Sequence, residues 1–102
     1  MRPGETILYE TRSAFNDIVV TGEHGGLRTL RFGRDSARQS VVKLHDPSHL
    51  ELDYYAFTPS FLAFVPDPEN LLIVGLGGGT LASFFHTHLP ETAIDAVEID
   101  PA

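Results

Sequence analysis

Short apolar runs over the first 44 residues give way to near-helical spacing and then, beyond residue 70, to continuous apolar blocks. Four early runs, Glu5 to Glu10, Phe15 to Thr21, Leu27 to Phe32 and Ser40 to Leu44, are rich in β-branched and aromatic residues and read as strands. Gly22-Glu-His-Gly-Gly26 supplies turn glycines between the second and third. The pattern therefore predicts a small antiparallel β-meander. From His49 to Val65 the positions Leu50, Tyr54, Phe57, Phe61, Leu62 and Phe64 recur at near-helical spacing, and Pro59 either kinks that helix or opens a second one. Pro66-Asp67-Pro68 ends it, because a residue before proline is pushed out of the α region.

A new unit begins at Glu69. Leu71-Leu-Ile-Val74 is a continuous apolar run of the kind found in parallel strands buried on both faces. Gly75-Leu-Gly-Gly-Gly79 follows, Thr80 to His88 reads as a helix ended by Pro90, and Ala93 to Ile99 as a second strand. This order is a βαβ unit. The chain reads as α/β in three parts: a β-strand domain over 1–48, a connecting helix and proline linker over 49–68, and the start of a nucleotide-binding fold over 69–102.

Composition narrows the function. With 102 residues, 42% of them hydrophobic, the chain suits one compact domain, and the absence of cysteine removes disulfides and thiolate metal sites. The start, Met1-Arg2-Pro3-Gly4-Glu5, has no apolar run, and the window Leu71 to Phe85 contains four glycines and is shorter than the roughly 20 residues of a spanning helix. A cytoplasmic protein without a membrane partner is expected. All seven basic residues lie at or before Lys43, whereas the rest of the chain carries nine acids and no Lys or Arg. That distribution argues against a nucleic-acid partner, which needs clustered cations, and suits a cationic ligand.

A glycine turn between a buried strand and a helix lets a ligand lie against bare backbone near the helix N-terminus. Glu98, at the end of the next strand, is placed to accept hydrogen bonds from both hydroxyls of a ribose, with Asp100 a competing acceptor two positions on. A phosphate loop does not fit, since no lysine follows the glycines, and the dinucleotide fingerprint is imperfect because Thr80 stands at its last glycine position. The spacing of Gly75, Gly77 and Gly79 favours a sulfonium nucleoside; the bland alternative is that the glycines only tighten the turn. No metal site is expected. His86 and His88 are two apart on a helix, Asp46-Pro47 separates His45 from His49, and His24 sits in a turn.

Leu71 to Gly79 and Asp95 to Pro101, preceded by Ser13 to Val20, Leu27 to Arg31 and the stretch Gln39 to Tyr54, resemble the spermidine synthase family of polyamine aminopropyltransferases. The resemblance runs over nearly the whole chain but covers the first part of such a protein, whose β-strand domain precedes a Rossmann-like, methyltransferase-type sheet of several more strands. A fragment or truncated product is therefore expected. The resemblance implies that Gln39 and Tyr54 face the active site from the N-terminal side, that Gly75, Gly77 and Gly79 pass close to the nucleoside, and that Glu98 holds its ribose. It also implies assembly through the β-strand domain as a homodimer or tetramer.

Three departures stand out. The aspartate that family members carry in the glycine turn, where it holds the amino end of decarboxylated S-adenosylmethionine, is Gly78 here. The usual His-Glu pair after the tyrosine is Tyr55-Ala56. The aspartate that deprotonates the attacking amine lies beyond Ala102 in family members, so no catalytic residue is assigned and little or no turnover is expected of these residues alone. The first functional reading is aminopropyl transfer from decarboxylated S-adenosylmethionine to a polyamine such as putrescine. The second is methyl transfer from S-adenosylmethionine, whose carboxylate suits bare N–H groups at Gly78. The third is a non-catalytic binding or oligomerisation module.

Overall fold

The computed structural model of the chain describes the backbone of residues 1–102 and all side chains but that of Tyr54. Strands β1 (Thr6–Arg12), β2 (Asp17–Gly22), β3 (Leu27–Arg31) and β4 (Arg38–Lys43) form an antiparallel sheet in that spatial order. The four apolar runs thus become the four strands of a meander, with ends shifted by a residue or two. Cross-strand pairing places Thr21 opposite Thr29, and Thr29 opposite Val41. With Val19, these residues form a face that is 1% exposed at each position. Val41 packs there with Leu52 and Tyr55, flanked by Leu27, Leu50 and Leu81. At the rim of that face Arg31 donates to Glu5 Oε1 over 2.7 Å and to the Ser36 carbonyl over 2.6 Å.

The other face carries Val20, Leu30 and Ser40 in one row and Gly22, Arg28 and Val42 in the next. Pairing is interrupted in two places. The register skips Leu8 on β1, and it skips Gln39 on β4, where Leu30 pairs with Ser40 but Arg31 with Arg38. A bulge of this kind inserts one extra residue into the strand and re-aims its side chain.

The near-helical stretch divides at its proline. Helix α1 (Asp53–Phe57) has only five residues, and Thr58–Ala63 continues as a 3-10 turn with Pro59 at its start. Pro59 therefore opens a second element, where its missing N–H is no loss. Strands β5 (Asn70–Val74) and β6 (Ala93–Val97) pair in parallel around helix α2 (Thr80–His88). Helix α2 has the bounds read from the sequence. Phe85 on this helix is 2% exposed and meets the Phe61 ring at 5.6 Å and the Phe84 ring at 5.5 Å.

The expectation that β5 is buried on both faces is corrected. Half-buried Leu71 and Ile73 alternate with Leu72 and Val74, which are 63% and 79% exposed. One crossover helix covers one face of a sheet, and an apolar second face needs a second layer. Hydrogen bonds join the βαβ unit to the meander and its following loop, among them Thr80 Oγ1 donating to the Val41 carbonyl at 2.7 Å, Gly78 N–H to Ser40 Oγ at 2.9 Å, and Ser48 Oγ lying 3.0 Å from His88 Nε2. Among the described residues no helix is long and apolar enough to cross a membrane.

Candidate functional site

The turn between β5 and α2 owes its shape to glycine. Gly75, Gly77 and Gly79 have φ of +86°, +56° and +80°, the left-handed region in which a Cβ collides with backbone. Gly78 is different, because its φ is ordinary. Space is tight for a side chain there: a Cβ would stand 3.0 Å from Ser40 Oγ, which would have to give by a few tenths of an ångström, and 3.4 Å from Val42 Cγ1.

Glu98 lies one residue past the end of β6. Its Oε1 accepts the Leu76 N–H at 2.8 Å and its Oε2 the Asp100 N–H at 3.1 Å. The carboxylate and the glycine turn therefore converge on one place. The Leu76 N–H, followed by that of Asp100, stabilises the ionised form and holds Glu98 below the usual carboxylate range, against its desolvation. Each carboxylate oxygen retains capacity for a further donor. Asp100 is committed elsewhere: Oδ2 accepts the Ser13 hydroxyl at 2.5 Å and Oδ1 the Ala102 N–H at 3.0 Å. Ser13 in turn caps the β1–β2 hairpin, accepting the N–H groups of Phe15 and Asn16.

The amides of the turn are not bare, which corrects the expectation for Gly78. Its N–H is taken by Ser40 Oγ, that of Gly75 by the Val97 carbonyl at 2.8 Å and that of Gly79 by the Leu76 carbonyl at 3.0 Å. These bonds draw the turn onto β4 and β6 and satisfy donors that a short loop would otherwise leave unpaired.

Between the turn and the second face of the meander lies a cavity of about 610 Å³. Gly75, Gly77, Gly78, Glu98 and Gln39 line it, and Gly79, which caps α2, does not. Gln39 and Ser40 both reach it although they are neighbours on one strand, as the bulge at Gln39 permits. The Tyr54 side chain lies outside the described residues. Its neighbour Tyr55 lines the cavity and donates its hydroxyl to the Gln39 carbonyl at 3.2 Å. Arg28, Asn16 and Asp100 also line it. The first two carry no sequence signal beyond their places in or beside strands. Among the described residues, no group of three or more His, Cys, Asp or Glu is arranged to hold a metal ion.

No family model matches the chain. The polyamine aminopropyltransferase of Vibrio vulnificus (strain CMCP6) is 39% identical over 99 residues, covering 94% of this chain and 33% of that protein. The polyamine aminopropyltransferase of Chromobacterium violaceum is 39% identical over 83 residues, covering 81% and 31%. The mouse eEF1A lysine and N-terminal methyltransferase is 44% identical over 63 residues, 55% of this chain and 9% of that one. A probable spermidine synthase from Corynebacterium glutamicum ATCC 13032 superposes with a TM-score of 0.71 at 22% identity, over 93% of this chain and 36% of that structure, and so shares its fold. The chain is thus spermidine synthase-like, and it spans about a third of the length of the polyamine aminopropyltransferases it resembles.

Proposed function

We propose that the cavity binds the adenosine of an S-adenosylmethionine-type sulfonium nucleoside and serves transfer of an alkyl group from its sulfur to an amine. The observation that carries this reading is the Glu98 carboxylate held against the glycine turn at the cavity wall. In the proposed complex Glu98 accepts the two ribose hydroxyls. Gly75 and Gly77 let the backbone approach the nucleoside, Gly79 caps the helix behind them, and Gln39 faces it from the meander.

The names of the bacterial relatives support aminopropyl transfer to a polyamine, and the donor in this reading is decarboxylated S-adenosylmethionine. The neutral amine attacks the carbon next to the positively charged sulfur, the C–S bond breaks with its electron pair going to sulfur, and 5′-methylthioadenosine leaves. The amine then gives its extra proton to a base, for which no residue of this chain is assigned. Positioning supplies most of the acceleration in such a displacement. The acid-rich second half attracts a polyamine cation. The reading includes a cytoplasmic setting and assembly through the meander as a homodimer or tetramer.

A second reading, methyl transfer from S-adenosylmethionine with S-adenosylhomocysteine leaving, is favoured by Gly78. The turn has no carboxylate there for the amino end of the decarboxylated form, and a methyltransferase is among the proteins similar to part of this chain.

Calorimetric titration of the chain with 5′-methylthioadenosine tests the common core. Binding that Glu98→Ala weakens about tenfold or more, the loss of charge-assisted hydrogen bonds to the ribose, supports it. No binding by the unaltered chain overturns it.

A further inference from the structure

We propose that Arg28 is the carboxylate-recognising residue of this cavity, so that the nucleoside selected is intact S-adenosylmethionine rather than its decarboxylated form. The inference rests on the nucleoside reading above and decides between its two branches.

Of the six arginines in the chain, five hold a carboxylate. Arg2, Arg12, Arg31, Arg34 and Arg38 reach Glu23, Asp17, Glu5, Glu10 and Glu51 at 2.5 to 3.8 Å. Among the described residues Arg28 pairs with no acid. Its recorded hydrogen bond runs from Nη1 to the carbonyl of its own neighbour Leu27 at 3.2 Å. Yet Arg28 is half-buried and is the cation of the cavity wall. Its cross-strand neighbours are Gly22 and Val42, and Nη1 lies 3.0 Å from where a Cβ on Gly22 would stand, so the missing side chain leaves room for the guanidinium. The surrounding face is apolar, with Val20, Leu30 and Val42. A guanidinium has five donors in a fixed fork that matches a carboxylate, and a half-buried one with most donors unused is an incomplete pair.

Its position fits the far end of the ligand. Glu98 sets the ribose end of the cavity, and the turn leads from there to Gly78. Val42 Cγ1 stands 3.4 Å from the Cβ position of Gly78, and Arg28 pairs with Val42 on the same cavity wall, its guanidinium lying over Gly22 on the far side of β3, a long side chain's reach from the turn. Where the resemblance implies an aspartate holding an ammonium group, this chain has no side chain, and the cation lining the same cavity is Arg28. That reversal selects an amino-acid end that still bears its carboxylate.

The test compares three ligands by calorimetry on the same chain: 5′-methylthioadenosine, S-adenosylmethionine and decarboxylated S-adenosylmethionine. The unaltered chain is expected to bind S-adenosylmethionine about tenfold or more tightly than the decarboxylated form. Arg28→Leu is expected to erase that preference while still binding 5′-methylthioadenosine, which has no carboxylate. Equal or tighter binding of the decarboxylated form by the unaltered chain overturns the assignment, as does a preference that survives Arg28→Leu. The first comparison needs no variant, and Arg28→Gln, which keeps most of the stem, repeats the second if Arg28→Leu fails to fold. If 5′-methylthioadenosine itself does not bind the unaltered chain, the nucleoside reading falls and this inference with it; if it binds without the carboxylate preference, only the Arg28 assignment falls.

Discussion

Ser40 Oγ accepts the N–H of Gly78 at 2.9 Å and stands 3.0 Å from the point a Cβ on that residue would occupy. One hydroxyl therefore anchors the turn to β4 and crowds any side chain at residue 78, whose φ is not among the positive ones. Gly78→Asp is expected to destabilise the chain by about 1 kcal/mol, the scale of one lost hydrogen bond. Adding Ser40→Ala removes the colliding oxygen and should let the aspartate seat, moving ligand preference toward decarboxylated S-adenosylmethionine. Denaturant midpoints and calorimetry of the single and double variants check this. A double variant whose preference does not move would count against placing the ligand's amino end at residue 78.

Gly75 and Gly77 share a positive φ but not their surroundings. A Cβ at Gly75 meets nothing within 4 Å, while one at Gly77 lies 3.0 Å from Ser40 Cβ. Gly75→Ala should cost about 1 kcal/mol, from the left-handed backbone alone. Gly77→Ala should cost about 2 kcal/mol or more, because two carbons must also separate. Urea titrations give both values, and equal costs would mean that the approach to Ser40 is unimportant.

Glu98 titrates below an ordinary carboxylate because the Leu76 N–H, followed by that of Asp100, favours its ionised form. For a group whose folded pKa is depressed, the stabilisation is present above the unfolded value and is lost as pH falls through the folded one. Binding of 5′-methylthioadenosine should therefore stay level from about pH 8 to about pH 5 and fall below the ordinary carboxylate range. Glu98→Gln should bind more weakly throughout and lose that acid limb. An acid limb unchanged in the variant would assign it to another group.

Glu5 and Arg31 form the most enclosed ion pair of the meander, with side chains 0% and 7% exposed. Burial pushes the Glu5 carboxyl up, but the hydrogen bond and charge of Arg31 outweigh it and hold the group below its usual range. Glu5→Gln leaves a buried guanidinium without its anion and should cost about 3 kcal/mol. By the same sign, the pair stabilises the fold above the ordinary carboxylate value and ceases to do so as pH falls through the lowered one. Unfolding midpoints against pH should be flatter on the acid side for the variant than for the unaltered chain.

The strands were legible because their residues carry local signals: β-branched runs in β1 to β4, the turn glycines before Leu27, and the capping glycine and closing proline around α2. Glu98 and the turn glycines could be singled out because strand, turn, helix and acid follow in a fixed order. What sequence spacing could not show is long-range. The bulge at Gln39 depends on the partner strand, since nothing in Arg38-Gln39-Ser40 announces a skipped pair. The capture of the Gly78 N–H joins residues 38 positions apart. The lone state of Arg28 is visible only once the other five arginines have found their acids. The exposure of Leu72 and Val74 likewise reflects the number of layers on the sheet, which an apolar run does not encode.

The bond from Ser13 to Asp100 spans 87 positions, against the adjacent-strand pairings that build the meander. Closing so wide a loop has a larger entropic cost than forming a hairpin, so the neighbouring strands zip first and this clasp fastens late. Hydrogen exchange should then report the cavity between turn and meander as the earliest region to breathe, with β2 and β3 protected longest. A nucleoside that bridges both walls would slow that breathing, making ligand capture and the final step of folding one and the same event.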